Sequence, residues 1–252
     1  MEMWLSTLAN NYDVLAAAGG DGTVSTVASA VAAKGKTLGI IPAGTLNHFA
    51  RDTGIPLKVE EAVALLRCGQ STMVDVGVAG DRIFLNNASV GAYPRMVRER
   101  TRARQRGWPR PIASARAIVA TWMELKSTTF QLRVGDTRLL RRSPLVVIAN
   151  GEYELDGLRV GRRRTVSDSA LSLYVAPHSS RLEALALPFR VLLGRLKKDP
   201  EFEIFRAATI QMDSGRPVTI ALDGELTTMN NPLHFSVRPR ALRVLVPRPK
   251  EA

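Results

Sequence analysis

The chain has 252 residues, 45% of them hydrophobic and 23% charged, a composition typical of a globular protein with one large domain or two modest ones. The single cysteine, Cys68, excludes a disulfide framework, and no apolar stretch approaches the roughly 18 residues that would indicate a membrane-spanning helix. A formal charge of +12 points to an anionic partner, such as a nucleotide, an anionic bilayer or nucleic acid.

The first predicted strand, Val14–Ala18, leads into the segment Gly19-Gly20-Asp21-Gly22-Thr23 and then into a predicted helix, Thr23–Lys34. Glycines let the backbone approach an anion closely, and a helix N-terminus directs free N–H groups and a positive dipole end at the same point. The carboxylate of Asp21 would repel a bare phosphate, so it indicates a magnesium nucleotide. An ordinary tight strand-to-helix turn is the alternative.

A second predicted strand, Thr37–Ile41, also ends in a glycine-containing turn, and a helix is predicted over Thr45–Asp52. Gly44, Thr45 and Asn47 stand in this turn. Two such turns at the same ends of neighbouring parallel strands form one crevice, which is where open α/β sheets bind ligands. Two converging turns are harder to explain by accident than one.

After a further predicted helix, Val59–Cys68, the pattern changes to hairpins, with Gly-Asp turns between short apolar runs. The predicted strands are Val74–Ala79, Arg82–Asn86, Phe130–Val134, Thr137–Arg141, Leu145–Ala149, Leu171–Val175, Ile204–Met212, Pro217–Leu222 and Leu233–Val237, and the predicted helices are Ile112–Lys126 and Arg181–Lys197. This change predicts an α/β domain followed by a mostly antiparallel β domain, with a boundary near 75–80.

The run GGDGT at 19–23, the run PAGTLNHFARDTGIP at 42–56 and Leu222-Asp223-Gly224-Glu225 together resemble the diacylglycerol kinase catalytic-domain family, which includes bacterial lipid kinases and is related to sphingosine and ceramide kinases. The resemblance extends from Tyr12 to Pro247. It implies an α/β ATP-binding domain with an NAD-kinase-like parallel sheet at 1–77, completed by a strand returning within 241–252 (Leu242–Val246). It also implies a β-sandwich lipid-substrate domain at 78–240, with the active cleft between the two.

By the same resemblance, the 19–23 and 44–47 turns bind ATP, while Asp223 is the candidate base for the attacking hydroxyl. Glu225 would share a face with Asp223 in an extended segment and either orient it or bind Mg²⁺. Asp-Gly is also a common hairpin turn pair, so a plain turn role for Asp223 is the alternative. The base is favoured because the three segments occur together and in the family's order.

The family holds Mg²⁺ through water with carboxylates near the cleft, and Asp21 and Asp75 occupy matching positions. His48 stands where a third carboxylate is usual, which removes one oxygen ligand. A separate structural Mg²⁺ site in some bacterial members matches Thr165, Asp168 and Ala170 by spacing, and a plain turn role for Asp168 is the alternative.

One departure from the family concerns the N-terminus. Its members begin with a further strand and an Asn-Pro-x-Ser-Gly turn, whereas only about a dozen residues precede Tyr12 here. By this resemblance a βαβ unit of ~30 or more residues is missing from the sequence, either because its start is wrongly placed or truncated or because this is a shortened variant. Its loss would remove one wall of the ATP site and leave an edge of the parallel sheet uncovered.

The basic charge is concentrated between Arg95 and Arg116, where eight arginines face one acid, Glu99, and again at 159–164. A lipid substrate stays in the bilayer, so we expect this segment to contact an anionic membrane, with Trp108 and Trp122 at headgroup level. A solvated helix face explains the charge equally well. We expect a cytoplasmic protein, peripheral on the inner membrane face, that binds no nucleic acid; a homodimer is open.

The sequence thus predicts an ATP-dependent kinase that phosphorylates a hydroxyl of diacylglycerol or a similar lipid, with ATP and Mg²⁺ as cofactors. An NAD kinase-like enzyme is one alternative, because GGDGT also occurs in NAD kinases. The other is a catalytically weak nucleotide- or lipid-binding protein, which the missing N-terminal unit and His48 motivate.

Overall fold

The computed structural model describes residues 2–124, 126–154, 162–163, 165, 167–176 and 203–248. The helices of this part are α1 (Glu2–Asn11), α2 (Asp21–Ala33), α3 (His48–Asp52), α4 (Val59–Cys68), α5 (Ala92–Gln105) and α6 (Arg110–Met123). The strands are β1 (Val14–Gly19), β2 (Thr37–Pro42), β3 (Gln70–Ala79), β4 (Arg82–Phe84), β5 (Asn87–Gly91), β6 (Thr128–Val134), β7 (Thr137–Ser143), β8 (Leu145–Asn150), β9 (Tyr153–Glu154), β10 (Arg162–Arg163), β11 (Leu171–Val175), β12 (Glu203–Ala207), β13 (Thr209–Asp213), β14 (Val218–Leu222), β15 (Glu225–Met229) and β16 (Leu233–Val246).

The first part of the fold is a parallel group of three strands covered by helices. β1 pairs with β2 in parallel, and the end of β16 pairs with the other side of β2, also in parallel. Helix α2 turns one apolar face to this sheet, because Val24, Val27, Ala28 and Val31 recur at helical spacing and are buried. Within the described residues β1 pairs with β2 alone, so β1 forms an edge of the sheet.

The second part is a sandwich of two largely antiparallel sheets. One is the continuation of the first sheet, in the order β16-β13-β6-β7 with β3 and β4 on the other side of β16, and the second has the order β12-β11-β8-β5-β14-β15. Apolar side chains from the inner faces of both sheets, among them Phe130, Phe235, Ile148 and Leu173, form one buried core. A separate core lies under the helices of the first part.

The long strand β16 joins the two parts. Its first half pairs with β13 and its last residues pair with β2, while β3 runs antiparallel along both halves. The register shifts between Arg238 and Leu242, and Arg240 there has a left-handed φ of 49°. The Asp75 carboxylate accepts a 2.8 Å hydrogen bond from the Arg240 N–H, which holds this bulge.

The predicted fold class is confirmed: an α/β part with parallel strands precedes a mostly antiparallel sandwich. Three details of the sequence prediction are wrong. Ile204–Met212 is two strands in different sheets, Leu233–Val237 and Leu242–Val246 are one strand, and the second predicted helix begins at His48 rather than Thr45. The predicted helix Arg181–Lys197 lies outside the described residues.

The elements that were not predicted include α1, α5 and the β5 and β15 strands that flank β14. Helix α1 precedes β1 and packs on α2, with Leu5 and Ala9 buried in the first core. Among the described residues, no helix is long and apolar enough to cross a membrane.

Candidate functional site

The two glycine turns pack directly against each other. β1 ends at Gly19, and α2 begins at Asp21 with Gly20 as its N-cap. A methyl group added at Gly44 would lie 2.4 Å from the Gly20 Cα, closer than any real contact. Glycine is therefore required at this approach, and the ends of the two neighbouring strands form one surface at the α2 N-terminus.

Side chains of the two turns also tie them together. Asn47 has a left-handed φ of 51°, and its Oδ1 accepts a 3.0 Å hydrogen bond from the Gly44 N–H while its Nδ2 donates to the Gly44 carbonyl. Asp21 Oδ1 accepts from the Phe49 N–H at 3.2 Å, at the start of α3. Asn47 thus holds the shape of the second turn, and Thr45 beside it is exposed.

The Asp223 carboxylate lies at the centre of the cleft, in the turn between β14 and β15. It accepts four hydrogen bonds: from the Ser25 hydroxyl at 2.7 Å, and from the N–H groups of Leu85, Asn86 and Asn87 at 2.7, 2.7 and 3.1 Å. Burial raises the pKa of Asp223, and these four donors oppose that rise. Asp223 therefore joins α2, the strand end at 85–87 and the β14–β15 turn.

Glu225 lies at the mouth of the same cleft and is exposed. A methyl group added at Gly22 would be 3.3 Å from Glu225 Oε1, so this carboxylate faces the first turn of α2. The groups that hydrogen-bond Asp223 are Ser25 and three backbone N–H groups, and the Mg²⁺-binding alternative for Glu225 stays a prediction. The segments 19–23, 44–47 and 223–225 therefore meet around one cleft.

Tyr93, at the start of α5, is a cleft residue that the sequence did not indicate. Its hydroxyl oxygen would be 3.9 Å from a methyl group added at Gly224. Burial raises the pKa of Tyr93, and the negative charges of Asp223 and Asp21 contribute to the rise. The Arg100 charge opposes it. Tyr93 thus presents a protonated hydroxyl, a hydrogen-bond donor, to the cleft.

A buried ion pair braces the cleft from behind. Arg163 Nε donates to Asp52 Oδ2 at 2.7 Å, with side-chain exposures of 0% and 2%. Arg163 Nη1 also donates to the carbonyls of Leu85 and Asn150 at 2.7 and 2.9 Å, and the guanidinium lies over the Phe49 ring. From the sequence, Arg163 was expected in a basic surface cluster at 159–164. That expectation is wrong for Arg163, because its side chain is buried and paired with Asp52 of α3.

Asp75 lies behind the cleft and not at its surface. Its Oδ2 accepts from the Ser169 N–H at 2.7 Å and its Oδ1 accepts from the Arg240 N–H, so both oxygens hold backbone. The Asn150 Nδ2 donates to the carbonyls of Asp75 and Leu85, which links this carboxylate's strand to the segment that binds Asp223. Asp75 therefore supports the cleft's framework, and a role in holding Mg²⁺ through water stays a prediction.

Comparison with known proteins agrees with this architecture. Residues 2–79 match the model of the diacylglycerol kinase catalytic domain, and residues 89–246 match the YegS C-terminal NAD kinase beta sandwich-like domain. A probable YegS-like lipid kinase of Pseudomonas putida is 31% identical over 242 residues, which cover 95% of this chain and 79% of that protein. The chain belongs to the diacylglycerol kinase family.

Other members of the family are similar along most of the chain. A diacylglycerol kinase of Staphylococcus saprophyticus is 27% identical over 226 residues, covering 87% of this chain and 72% of that protein. The crystal structure of a putative diacylglycerol kinase from Bacillus anthracis superposes with a TM-score of 0.73 at 20% identity, over 98% of this chain and 82% of that one. This likeness shows that the two-domain fold is shared.

A kinase would bind its nucleotide together with a divalent cation, and the cleft offers oxygen donors for such a cation. Asp21 Oδ1 is bound to Phe49, while its Oδ2 accepts no hydrogen bond from a described residue. Among the described residues, no three His, Cys, Asp or Glu side chains are grouped closely enough to form a metal cage. Mg²⁺ at nucleotide sites needs only one or two carboxylates besides the phosphates, so the donor set fits that mode of binding.

The residues of the second expected Mg²⁺ site do lie together. The Thr165 carbonyl and Asp168 Oδ1 would be 3.1 and 3.7 Å from a methyl group added at Gly151, and the Ala170 carbonyl accepts from the Gly151 N–H. The other oxygen of Asp168 pairs with Arg206 at 2.6 Å. The Arg206 guanidinium therefore already balances the charge of Asp168. Mg²⁺ at Thr165, Asp168 and Ala170 stays a prediction.

Proposed function

We propose that the protein is an ATP-dependent lipid kinase that transfers the γ-phosphoryl group to a hydroxyl of diacylglycerol or a similar lipid. The observation that carries the proposal is the meeting of three distant segments, 19–23, 44–47 and 223–225, at the N-terminus of α2. Phosphoryl transfer requires positioning, charge stabilisation and a base more than covalent chemistry, and these segments supply all three.

The phosphate end of ATP would lie at the first turn of α2. The N–H groups of residues 20–23 are at the positive end of the helix dipole, and Thr23 adds an exposed hydroxyl. Thr45, exposed in the turn packed against Gly20, would add a second hydroxyl. A nucleotide-bound Mg²⁺, held by Asp21, would neutralise charge on the phosphate oxygens.

Asp223 would serve as the base for the acceptor hydroxyl. Its burial in the cleft favours the protonated form, and a base whose pKa lies closer to the working pH accepts a proton more effectively. Tyr93 is placed beside it as a hydrogen-bond donor to the acceptor or to a phosphate oxygen.

The test is transfer of label from γ-labelled ATP in the presence of Mg²⁺ to diacylglycerol in mixed micelles. We expect labelled lipid from the wild type and a loss of at least ~100-fold in Asp223→Asn. Asp136→Asn is the matched control, because Asp136 lies in an exposed β-hairpin turn between β6 and β7. With NAD added to the same reaction, label on NAD in place of lipid would select an NAD kinase, and ATP binding with no transfer by the wild type would select a binding protein.

We further propose that helices α5 and α6 dock on the anionic membrane that holds the lipid. Seven of the eight arginines between 95 and 116 are exposed, and only Arg95 is half-buried, paired with Glu124. Helix α6 adds exposed apolar residues at helical spacing, Ile112, Val119 and Met123, and Trp108 beside it lies under the Arg116 guanidinium. Cationic and apolar groups on one surface are typical of an interfacial helix.

Vesicle binding tests this surface. Each arginine near an anionic leaflet contributes about 1 kcal/mol, so the double variant Arg106→Gln/Arg110→Gln should bind phosphatidylglycerol vesicles ~10- to 30-fold more weakly. The control Arg138→Gln/Arg216→Gln removes the same charge from exposed sites on the sandwich and should bind as the wild type does. Equal weakening in both variants would show that net charge, and not α5 and α6, drives the binding.

A further inference from the structure

The carboxylate of Asp223 has no free acceptor position through which it could take a proton directly from a substrate hydroxyl. A carboxylate has about four acceptor positions, and all four are filled here, two on each oxygen. Three of the donors are backbone N–H groups of consecutive residues, fixed where β4 leads into β5. The fourth, the Ser25 hydroxyl, is the only donor on a side chain, and therefore the only one whose hydrogen and lone pairs can be redirected without moving the backbone.

Ser25 lies beside Asp223, about one turn of α2 beyond the place where phosphate would bind. It stands three residues after Gly22 on α2, so the two share one face, and a rise of 1.5 Å per residue puts it about 4.5 Å further along the helix. Gly22 faces Glu225 and Ser25 contacts Asp223, so this face is turned toward the 223–225 turn. Ser25 and Asp223 are therefore both within one helical turn of the residues at the α2 N-terminus where an acceptor hydroxyl would meet the phosphate.

The Ser25 hydroxyl donates one hydrogen bond and accepts none from the described residues. It donates its hydrogen to Asp223 Oδ2 at 2.7 Å, and no hydrogen bond from a described residue reaches its lone pairs. Ser29, one turn further along, donates to the Ser25 backbone carbonyl and leaves the hydroxyl alone. A buried hydroxyl that donates to a carboxylate and accepts nothing is arranged to accept a proton from a third group.

We propose that Ser25 is a catalytic residue that relays the proton of the lipid hydroxyl to Asp223. This inference rests on the proposed kinase function. As the acceptor oxygen forms its bond to the γ-phosphorus, its proton passes to Ser25 Oγ, and the hydrogen of Ser25 passes to Asp223 Oδ2. The bond between the γ-phosphorus and the β–γ bridging oxygen breaks, and ADP leaves with the electron pair. Asp223 returns its proton to Ser25, and Ser25 to solvent, after the products leave.

Tyr93 also presents a hydroxyl near Asp223, and it fits this role less well. Its burial favours the neutral phenol, and it makes no hydrogen bond to Asp223 in the described part of the chain. A relay requires contact with the base, and Ser25 provides it.

Single-turnover rates of phosphoryl transfer to diacylglycerol test the relay. Ser25→Ala removes the relay hydroxyl and should slow transfer by ~10- to 100-fold with the affinity for ATP unchanged. Ser25→Thr keeps a hydroxyl at the same place and should recover most of the rate. Ser29→Ala, an exposed serine on the same helix, should transfer at the wild-type rate. A Ser25→Ala variant as fast as the wild type would overturn the relay.

The wild type offers a second readout that does not depend on whether Ser25→Ala folds. When two protons move in the transition state, the single-turnover rate plotted against the fraction of D₂O curves downward, and when one proton moves it is linear. We expect a curved plot, and a linear plot would overturn the relay while leaving the kinase function intact. Absence of any transfer by the wild type would instead contradict the proposed function itself.

Discussion

At the scale of single residues, two charged side chains link distant segments around the cleft, Asp223 and Arg163. Neither could be predicted as a structural centre from the sequence, because their partners are remote: Ser25 is 198 positions from Asp223, and Asp52 is 111 from Arg163. Local patterns carry no information on such pairs. The sequence did single out Asp223, because the Asp-Gly-Glu run matches a family pattern, but Arg163 looked like one more surface arginine.

The Asp52–Arg163 pair gives a stability prediction. Arg163→Met removes the cation paired with the Asp52 carboxylate, which is 2% exposed, so it should lower the free energy of unfolding by about 3–5 kcal/mol. Urea unfolding measures this. Glu203→Gln, which breaks the exposed pair with Arg141, should cost under ~1 kcal/mol. Similar losses of unfolding free energy in the two variants would show that the buried pair contributes no more to stability than the exposed one.

Gly44 gives a second prediction at this scale. Gly44→Ala would put a methyl group 2.4 Å from the Gly20 Cα, so the two turns must separate, and ATP affinity should fall by ~10-fold or more. Gly54→Ala is the control: its φ is +72° but nothing lies within 4 Å, so it should cost some stability and leave ATP affinity unchanged. Calorimetric titration with ATP compares them, and an unchanged affinity in Gly44→Ala would contradict the packed-turn geometry.

At the scale of elements, helices and strands with a regular apolar period were predicted well, whereas the place where the chain passes from one sheet to the other was not. The runs that became β1, β2, α4 and β11 are each bounded by glycine, proline or a clear change of period, and the structure places these elements within a residue or so of the predictions. The run at 204–212 keeps its apolar alternation while the chain passes at Ala208 from one sheet of the sandwich to the other. Continuous alternation cannot reveal that the partner strand has changed.

The bulge in β16 gives a prediction for an element. Asp75 holds the Arg240 and Ser169 N–H groups while 2% exposed, and an asparagine would place an N–H₂ donor against one of them. Asp75→Asn should therefore lower the free energy of unfolding by about 1–3 kcal/mol. Asp213→Asn, whose carboxylate caps Gly215 at an exposed turn, should change it little, because water can replace the lost acceptor. Both are measured by thermal or urea unfolding.

At the scale of the whole molecule, the change from βα alternation to hairpins was enough to predict two parts, whereas their physical connection was not visible. β3 and β16 run through both parts, and the Ser25–Asp223 and Asp52–Arg163 contacts cross the cleft. The two hydrophobic cores are thus separate but share strands and buried polar links. The division of the chain at residue 77 stays a prediction.

Because strands and buried links are shared, we expect the two parts to unfold together. Tryptophan fluorescence, which includes Trp4 on α1, and far-ultraviolet circular dichroism should report one coincident transition in urea. Two separated transitions would mean that the parts are independent and that the cleft is not held by the contacts described here.

We infer that one cleft binds the nucleotide at the α2 N-terminus and removes the acceptor proton through Asp223. The most direct test measures, on the same Asp223→Asn preparation, the dissociation constant for ATP and the rate of phosphoryl transfer to diacylglycerol. We predict transfer lowered by ~100-fold or more, with ATP affinity changed by less than ~10-fold, because the donors of Asp223 are Ser25 and residues 85–87 and not the 19–23 and 44–47 turns. Wild-type transfer by Asp223→Asn would contradict the claim.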